Sequence, residues 1–133
     1  MKDCNCTCNG SSSCASNDAP AKVYACAGAS NVGKISMDLA IALHQAKRYQ
    51  MSCAAGIGAE ICGFTDGAKE EGKMNLLIDG CPVGCLRTMF ENKSIKNYDH
   101  IVLTEMGIQK DGSFTYDQSV IPELMHKLKE IGL

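Results

Sequence analysis

The sequence has no long apolar run, no strong net charge and no secretory leader. No stretch approaches the ~20 apolar residues that a membrane-spanning helix needs. The formal net charge of -2 gives no electrostatic reason to bind nucleic acid or an anionic membrane. The opening MKDCNCTCNGSSSC contains no apolar segment of the signal-peptide kind. We therefore expect a cytoplasmic protein that binds neither nucleic acid nor a membrane.

Cysteine, in contrast, is abundant, with nine in 133 residues. An odd number of cysteines without a signal peptide argues against a secreted scaffold stapled by disulfides. In a reducing compartment, clustered thiols are more typical of metal binding or redox chemistry. The length is that of one domain, and the 45% of hydrophobic residues is enough for one core.

Composition divides the chain into two parts. Residues 1–20 are rich in Asn, Ser, Cys, Gly and Asp and cannot build a core, so we predict a flexible, disordered tail. Residues 21–133 form a single α/β domain. The tail cysteines, with the pattern C-x-C-x-C-x5-C, are either accessory thiols for a soft metal or adventitious; they are Cys4, Cys6, Cys8 and Cys14.

Short apolar runs alternate with helical patterns in the domain. Apolar and polar residues do not alternate within these runs, which is typical of strands buried on both faces. The runs cover residues 22–27, 50–55, 74–79 and 100–104. Strand and helix alternate four times. This pattern predicts a three-layer, Rossmann-like α/β fold with a four-stranded, mainly parallel sheet.

Four helical segments are predicted between and after the strands. The first starts at Ser30 or Asn31 as N-cap, and the last is striped with apolar residues over 121–131. A less regular segment over 59–72 is interrupted by glycines at 63 and 67. The helix over 82–92 has Cys81 as its predicted N-cap, with proline at the favoured first position.

Four cysteines fall at the predicted carboxyl ends of strands, where open parallel sheets bind ligands: Cys26, Cys53, Cys81 and Cys85. Four thiolates at one edge suit a tetrahedral zinc ion, although C-x26-C-x27-C-x3-C is not a standard zinc spacing. Cys26 and Cys53 lie in apolar runs, so core filling is the alternative for them. Cys62 is equally well explained as core filler or as an extra ligand.

Gly28 to Lys34 match the G-x4-G-K phosphate-binding pattern, in the correct strand–loop–helix context. However, Ile35 stands where Ser or Thr would hold Mg²⁺, so we expect no nucleotide hydrolysis. An anion site at this helix N-terminus stays open. Five residues are predicted either to bind an anion here or to contact the ligands of a bound metal: Ser30, Asn31, Gly33, Asp79 and Glu105.

The histidines offer no obvious catalytic partner for a thiol. His44 and His126 lie on predicted helices and His100 begins a predicted strand. None is expected at the cysteine edge. That removes the usual base for a nucleophilic cysteine.

Several ordered motifs resemble one family. CAGASNVGK (26–34), CAAGIGA (53–59), DGCPVGC (79–85) and LTEMGIQK (103–110) are similar to the segments of the DGC domain, named for its Asp-Gly-Cys motif. The resemblance covers about residues 22 to 112 and implies zinc binding through Cys26, Cys53, Cys81 and Cys85. Lys34 departs from the family pattern, in which Gln or Glu is expected. The resemblance implies no particular molecular activity.

Three hypotheses follow for the cysteine edge. The first is a metal-binding protein with a four-cysteine site, most simply for zinc, with an iron–sulfur cluster as the alternative cofactor. The second is a thiol enzyme in which Cys81 is the nucleophile and Cys85 or Cys53 resolves the intermediate. The third is a module that binds an oxyanion or a soft metalloid. Whether the protein is an enzyme stays open, and no protein partner is indicated.

Overall fold

The computed structural model describes residues 20–133. The four tail cysteines and nearly all of the predicted tail lie outside the described residues. The elements, in chain order, are β1 (Lys22–Ala25), α1 (Asn31–Gln45), β2 (Gln50–Met51), α2 (Ala54–Gly58), α3 (Cys62–Ala68), β3 (Asn75–Asp79), α4 (Cys85–Asn92), β4 (Tyr98–Val102) and α5 (Val120–Glu130).

The four strands form one parallel sheet in the order β2-β1-β3-β4. The chain leaves β1 toward one side to form β2 and then crosses to the other side to form β3. The loops that follow β1 and β3 therefore diverge at a topological switch point, where α/β proteins bind ligands. The predicted α/β class and parallel sheet are confirmed.

Helices cover both faces of the sheet and complete three layers. On one face α1 and α5 enclose a core built around Leu76 and Ile78 of β3. On the other, the segment α2 to α4 packs on Leu77 and the fully buried ring of Tyr24. Because β3 is buried on both faces, its run of apolar residues does not alternate with polar ones. No helix in the described part of the chain is long and apolar enough to cross a membrane.

Two local predictions on the β2 side were wrong. Residues 54–58, expected as a strand end and a loop, form the short helix α2. The predicted breaks at Gly63 and Gly67 do not occur, because α3 runs through both glycines. The chain instead breaks between the two helices, where Glu60 has a φ of 60°. A left-handed residue ends a helix more sharply than an internal glycine does.

The start of α4 was also mispredicted. The helix begins at Cys85, after Gly84 with a φ of 65°, so Cys81 is not its N-cap and Pro82 is not its first residue. Cys81 and Cys85 are therefore not one turn apart on a helix. At the other end of the chain, α5 buries Leu124 and Leu128 as expected, whereas Ile131 lies beyond the helix and is exposed.

Candidate functional site

Four free thiols from different segments meet at the carboxyl edge of the sheet, around two adjoining cavities. The switch-point cavity, about 300 Å³, lies between the loops after β1 and β3 and is lined by Cys26, Cys81 and Cys85. The methionine cavity, about 900 Å³, extends toward β2 and is lined by Cys26, Cys53 and Cys85. Cys26 and Cys85 belong to both linings, which joins all four cysteines in one continuous region.

Asp79 anchors the loop that carries two of these cysteines. Its buried carboxylate accepts hydrogen bonds from the backbone N–H of Leu86 (3.0 Å) and of Arg87 (3.2 Å). Gly84 has no side chain with which to cap α4, so the aspartate caps the helix from the end of β3. A carboxylate can only accept hydrogen bonds, so His100 Nε2 is the donor of the third bond, at 2.8 Å from Asp79 Oδ2.

Gly80 allows the strands and the first helix to approach closely. A Cβ at this position would lie 2.9 Å from Val32 Cγ2 and 3.0 Å from the Val32 carbonyl carbon. Its backbone N–H donates to Cys26 Sγ at 3.3 Å. Each residue of the Asp-Gly-Cys segment thus has its own role. Asp79 caps α4, Gly80 leaves room for α1 to pack closely, and Cys81 lines the switch-point cavity.

Cys26 makes a second polar contact besides the one with Gly80. Ser36 donates its hydroxyl proton to the Gly33 carbonyl at 2.7 Å. Cys26 Sγ lies 3.4 Å from the oxygen of the same hydroxyl. A metal at this sulfur would compete with both contacts, since the thiolate is the ligand.

Lys110 is held over Cys81 by a polar contact between distant segments. Its Nζ lies 3.5 Å from Cys81 Sγ. On either side of it, the buried Asn31 side chain donates to Gln109 O at 2.7 Å and accepts from Asp111 N at 2.8 Å. These bonds fix the loop after β4 to the start of α1, so the site includes a cation next to its thiols.

The start of α1 uses several of its own backbone amides in hydrogen bonds within the protein. Ser30 is the N-cap, and its side chain accepts from Gly33 N. The Asn31 amide donates to Asp111 O, and the Ser30 amide donates to Gly28 O. Lys34 turns away to Asp38, at 2.6 Å. The amides of Ser30, Asn31 and Gly33 are therefore engaged within the protein, which leaves fewer N–H groups for an anion at this helix N-terminus.

The methionine cavity combines thiols with thioethers, and the buried Tyr24 lies next to two of its lining residues, Ser52 and Cys53. Met37, Met51 and Met89 line it beside the cysteines. The hydroxyl of Tyr24, wholly buried, makes no hydrogen bond among the described residues. Burial raises the pKa of this tyrosine, a contact with Ser52 lowers it, and the neighbouring Cys53 raises it further.

Not every predicted site residue joins this region. Cys62 begins α3, lines neither cavity and is disulfide-bonded. Glu105 is exposed and lines a different cavity, with His100, beside β4. Within residues 20–133, no three Cys, His, Asp or Glu side chains are arranged to hold a metal ion. The donor set fits a thiophilic metal, but the thiols must move together to bind one.

Sequence reasoning missed three polar residues of the site. His44 lines the methionine cavity, contrary to the expectation that no histidine is near the cysteines. Its spacing of seven from Met37 places both on one face of α1, which is a usable signal. His100 and Lys110 become neighbours of the motif only through the β3–β4 pairing and the Asn31 contact.

Fold and site together define a small α/β protein with thiol-lined cavities at the switch point of a parallel sheet. The model of the DGC domain matches residues 22–128, and the chain belongs to that family. The Anaerobic and virulence modulator AnvM of Pseudomonas aeruginosa (strain PAO1) is 36% identical over 88 residues. The match covers 66% of this chain and 66% of that protein, so the chain spans just under two thirds of its relative. No solved structure matches.

Proposed function

We propose that the protein binds a thiophilic metal ion, zinc in the first instance, through Cys26, Cys53, Cys81 and Cys85. The observation that supports this most is the shared lining of the two cavities, in which four free thiols from the three segments after β1, β2 and β3 lie at one edge. The chemistry fits zinc, whose structural sites are commonly formed by cysteine sulfur. Bound zinc would tie these segments together and act as a Lewis acid wherever a ligand position stayed open.

The protein's own residues contribute the rest of the site. Lys110 would offset part of the negative charge of the thiolates, and Gly80 N–H already donates to Cys26. The exposed segment that carries Val83 and Cys85 is where the thiols have most room to converge. Four of the five cysteines in the described residues are free and Cys62 is disulfide-bonded; the free thiols support our proposal of a cytoplasmic location, since reducing compartments keep thiols reduced.

Metal analysis of anaerobically purified protein tests the proposal. The tail is first neutralised by serine substitutions in the full-length chain at Cys4, Cys6, Cys8 and Cys14. We expect about one zinc per chain in this background and a large loss on Cys81→Ser. Cys62→Ser is the comparison variant: its sulfur lies outside both cavities and is disulfide-bonded in the structure, so zinc binding should be unchanged. A folded, metal-free protein that takes up no zinc would refute the proposal.

A second candidate is thiol chemistry, with Cys81 as nucleophile and Cys85 or Cys53 as resolving thiol. The observation in its favour is the ammonium of Lys110 at 3.5 Å from Cys81 Sγ. The relative's name, Anaerobic and virulence modulator, associates that protein with anaerobic conditions, in which thiols stay reduced. Rapid alkylation of Cys81 at neutral pH, lost in Lys110→Met, would favour it over the metal site.

A third candidate is a module for an oxyanion or a soft metalloid, and the structure bears on its two forms differently. The amides of Ser30, Asn31 and Gly33 are engaged within the protein, which disfavours the oxyanion form. A metalloid held by the thiols would need none of these amides. Selective uptake of arsenite by protein that does not retain zinc would identify this function.

A further inference from the structure

Cys62 differs from the other cysteines of residues 20–133 because its sulfur is already in a disulfide. The other four cysteines in this part of the chain are free thiols: Cys26, Cys53, Cys81 and Cys85. The sequence has nine cysteines, so the sulfur that pairs with Cys62 belongs to one of the four tail cysteines. This disulfide therefore uses none of the thiols of the proposed metal site, and it connects the tail to the start of α3.

The path of the chain allows this connection. The Lys22 ammonium donates to the Gly67 carbonyl at 2.5 Å, so the start of β1 lies beside the last turn of α3. Cys62 is five positions earlier in that helix, a rise of about 8 Å. Cys14 precedes Lys22 by eight positions, and an extended chain of that length spans up to about 26 Å. A tail thiol can thus reach Cys62 with ample slack.

The helix that carries Cys62 is weakly packed. Of its seven residues, only Ala68 is buried. The Ala68 carbonyl accepts from the side-chain amides of Asn75 (2.8 Å) and Asn97 (3.0 Å), which hold the carboxyl end of α3. Nearer its amino end, the Phe64 ring lies against α2, where a Cβ on Gly56 would be 2.4 Å from it. A covalent link at Cys62 therefore restrains the less buried end of the helix.

The position of α3 matters for the methionine cavity. Phe64 lines this cavity together with Cys53 and Cys85, although its side chain is 38% exposed. Cys62 is two positions from Phe64 on the same helix. A link that restrains Cys62 thus also restrains one wall of a cavity that contains free thiols.

We propose that Cys62 and one tail cysteine form a redox-reversible tether that fixes α3 and the Phe64 wall of the methionine cavity. The oxidant is a low-molecular-weight disulfide such as oxidised glutathione. One protein thiolate attacks it and forms a mixed disulfide, releasing one glutathione thiolate; the second protein thiolate then displaces the other. Two protein thiols are oxidised and two glutathione thiols are formed, and a dithiol reverses the exchange. Disulfides in reducing compartments are usually transient and redox-sensing, which agrees with this role.

Peptide mapping without reduction tests the tether in the full-length chain, equilibrated with oxidised glutathione and a metal chelator. Trypsin releases all four tail cysteines within residues 3–22 and Cys62 within residues 49–69. We expect the two peptides to be joined, and the link to disappear with dithiothreitol and in Cys62→Ser. Cys53→Ser removes the other cysteine of the second peptide and is the matched control, which should keep the link. Recovery of Cys62 as a free thiol, or only as a glutathione adduct, would overturn the inference.

Hydrogen exchange measured by mass spectrometry tests the effect on α3. Under the same conditions, amides of residues 62–68 should exchange at least about tenfold faster in Cys62→Ser than in the oxidised parent chain. Amides of α5 should exchange at equal rates in both. Reduction of the parent chain with dithiothreitol gives the same comparison without a substitution. Equal exchange over α3 in the linked and unlinked chains would overturn its role in fixing the helix. The chelator removes metal throughout, so neither result depends on the zinc proposal.

Discussion

Replacing Asp79 by alanine should destabilise the fold and loosen the thiol loop together. Loss of the helix cap costs about 1 to 2 kcal/mol. Loss of the charge-assisted bond to His100 adds about 1.5 to 3 kcal/mol. The sum, about 3 to 5 kcal/mol, is a large share of a total stability of roughly 5 to 15 kcal/mol. The Leu86 amide, which belongs to a buried residue, is the donor least able to find water instead.

Urea denaturation followed by circular dichroism measures this effect. Asp79→Asn is the control of equal size: it keeps one acceptor oxygen for α4, so we expect less than half the loss. A cycle with His100→Gln should give a coupling energy of about 0.5 to 3 kcal/mol. An alanine variant within about 0.5 kcal/mol of the parent, the range of ordinary surface changes, would refute the capping role.

Three further predictions test other parts of the structure. Gly33→Ala should fail to fold or lose several kcal/mol in urea denaturation, because its Cβ would lie 2.0 Å from Gly28 O; normal stability would contradict this backbone contact. Burial, then its bond to Asp38, raises the pKa of Tyr116 to about 12, so stability should be complete below its ordinary pKa of 10.0 and fall as pH rises toward 12. Tyr116→Phe should remove the part of the stability loss at alkaline pH that Tyr116 causes. Melting curves recorded over a series of pH values measure this difference. Lys110→Met should weaken zinc binding more at low than at high salt, and equal loss at both would exclude a charge effect.

The sheet and the thiol edge could be predicted because both depend on local pattern. Four apolar runs separated by helical segments allow few arrangements, and right-handed parallel crossovers place all strand ends together. The cysteines after β1, β2 and β3 therefore had to be neighbours, whatever the detail of the loops. The weak QMSCAA run was still enough to locate β2, although only Gln50 and Met51 pair with β1.

The start of α4 could not be predicted because its cap is remote. A proline after a cysteine looks like a helix start, and Gly84 has no capping side chain. The acceptor comes instead from Asp79, which is held in place by its own strand. Local pattern also says nothing of Lys110, since its position depends on an asparagine far away in the sequence. Contacts of this kind appear only once the tertiary structure is known.

The contact between Asn31 and the loop around Lys110 has a consequence for how the protein is made. It joins residues 78 and 80 positions apart. Closing a flexible loop of that length costs about 4 kcal/mol in chain entropy, so it forms after the intervening strands have docked. During synthesis, Cys81 emerges from the ribosome before Lys110, whose ammonium lies 3.5 Å from its sulfur in the folded protein. A nascent chain thus presents uncovered thiols, and oxidants or stray metals have their best access to the protein during that interval.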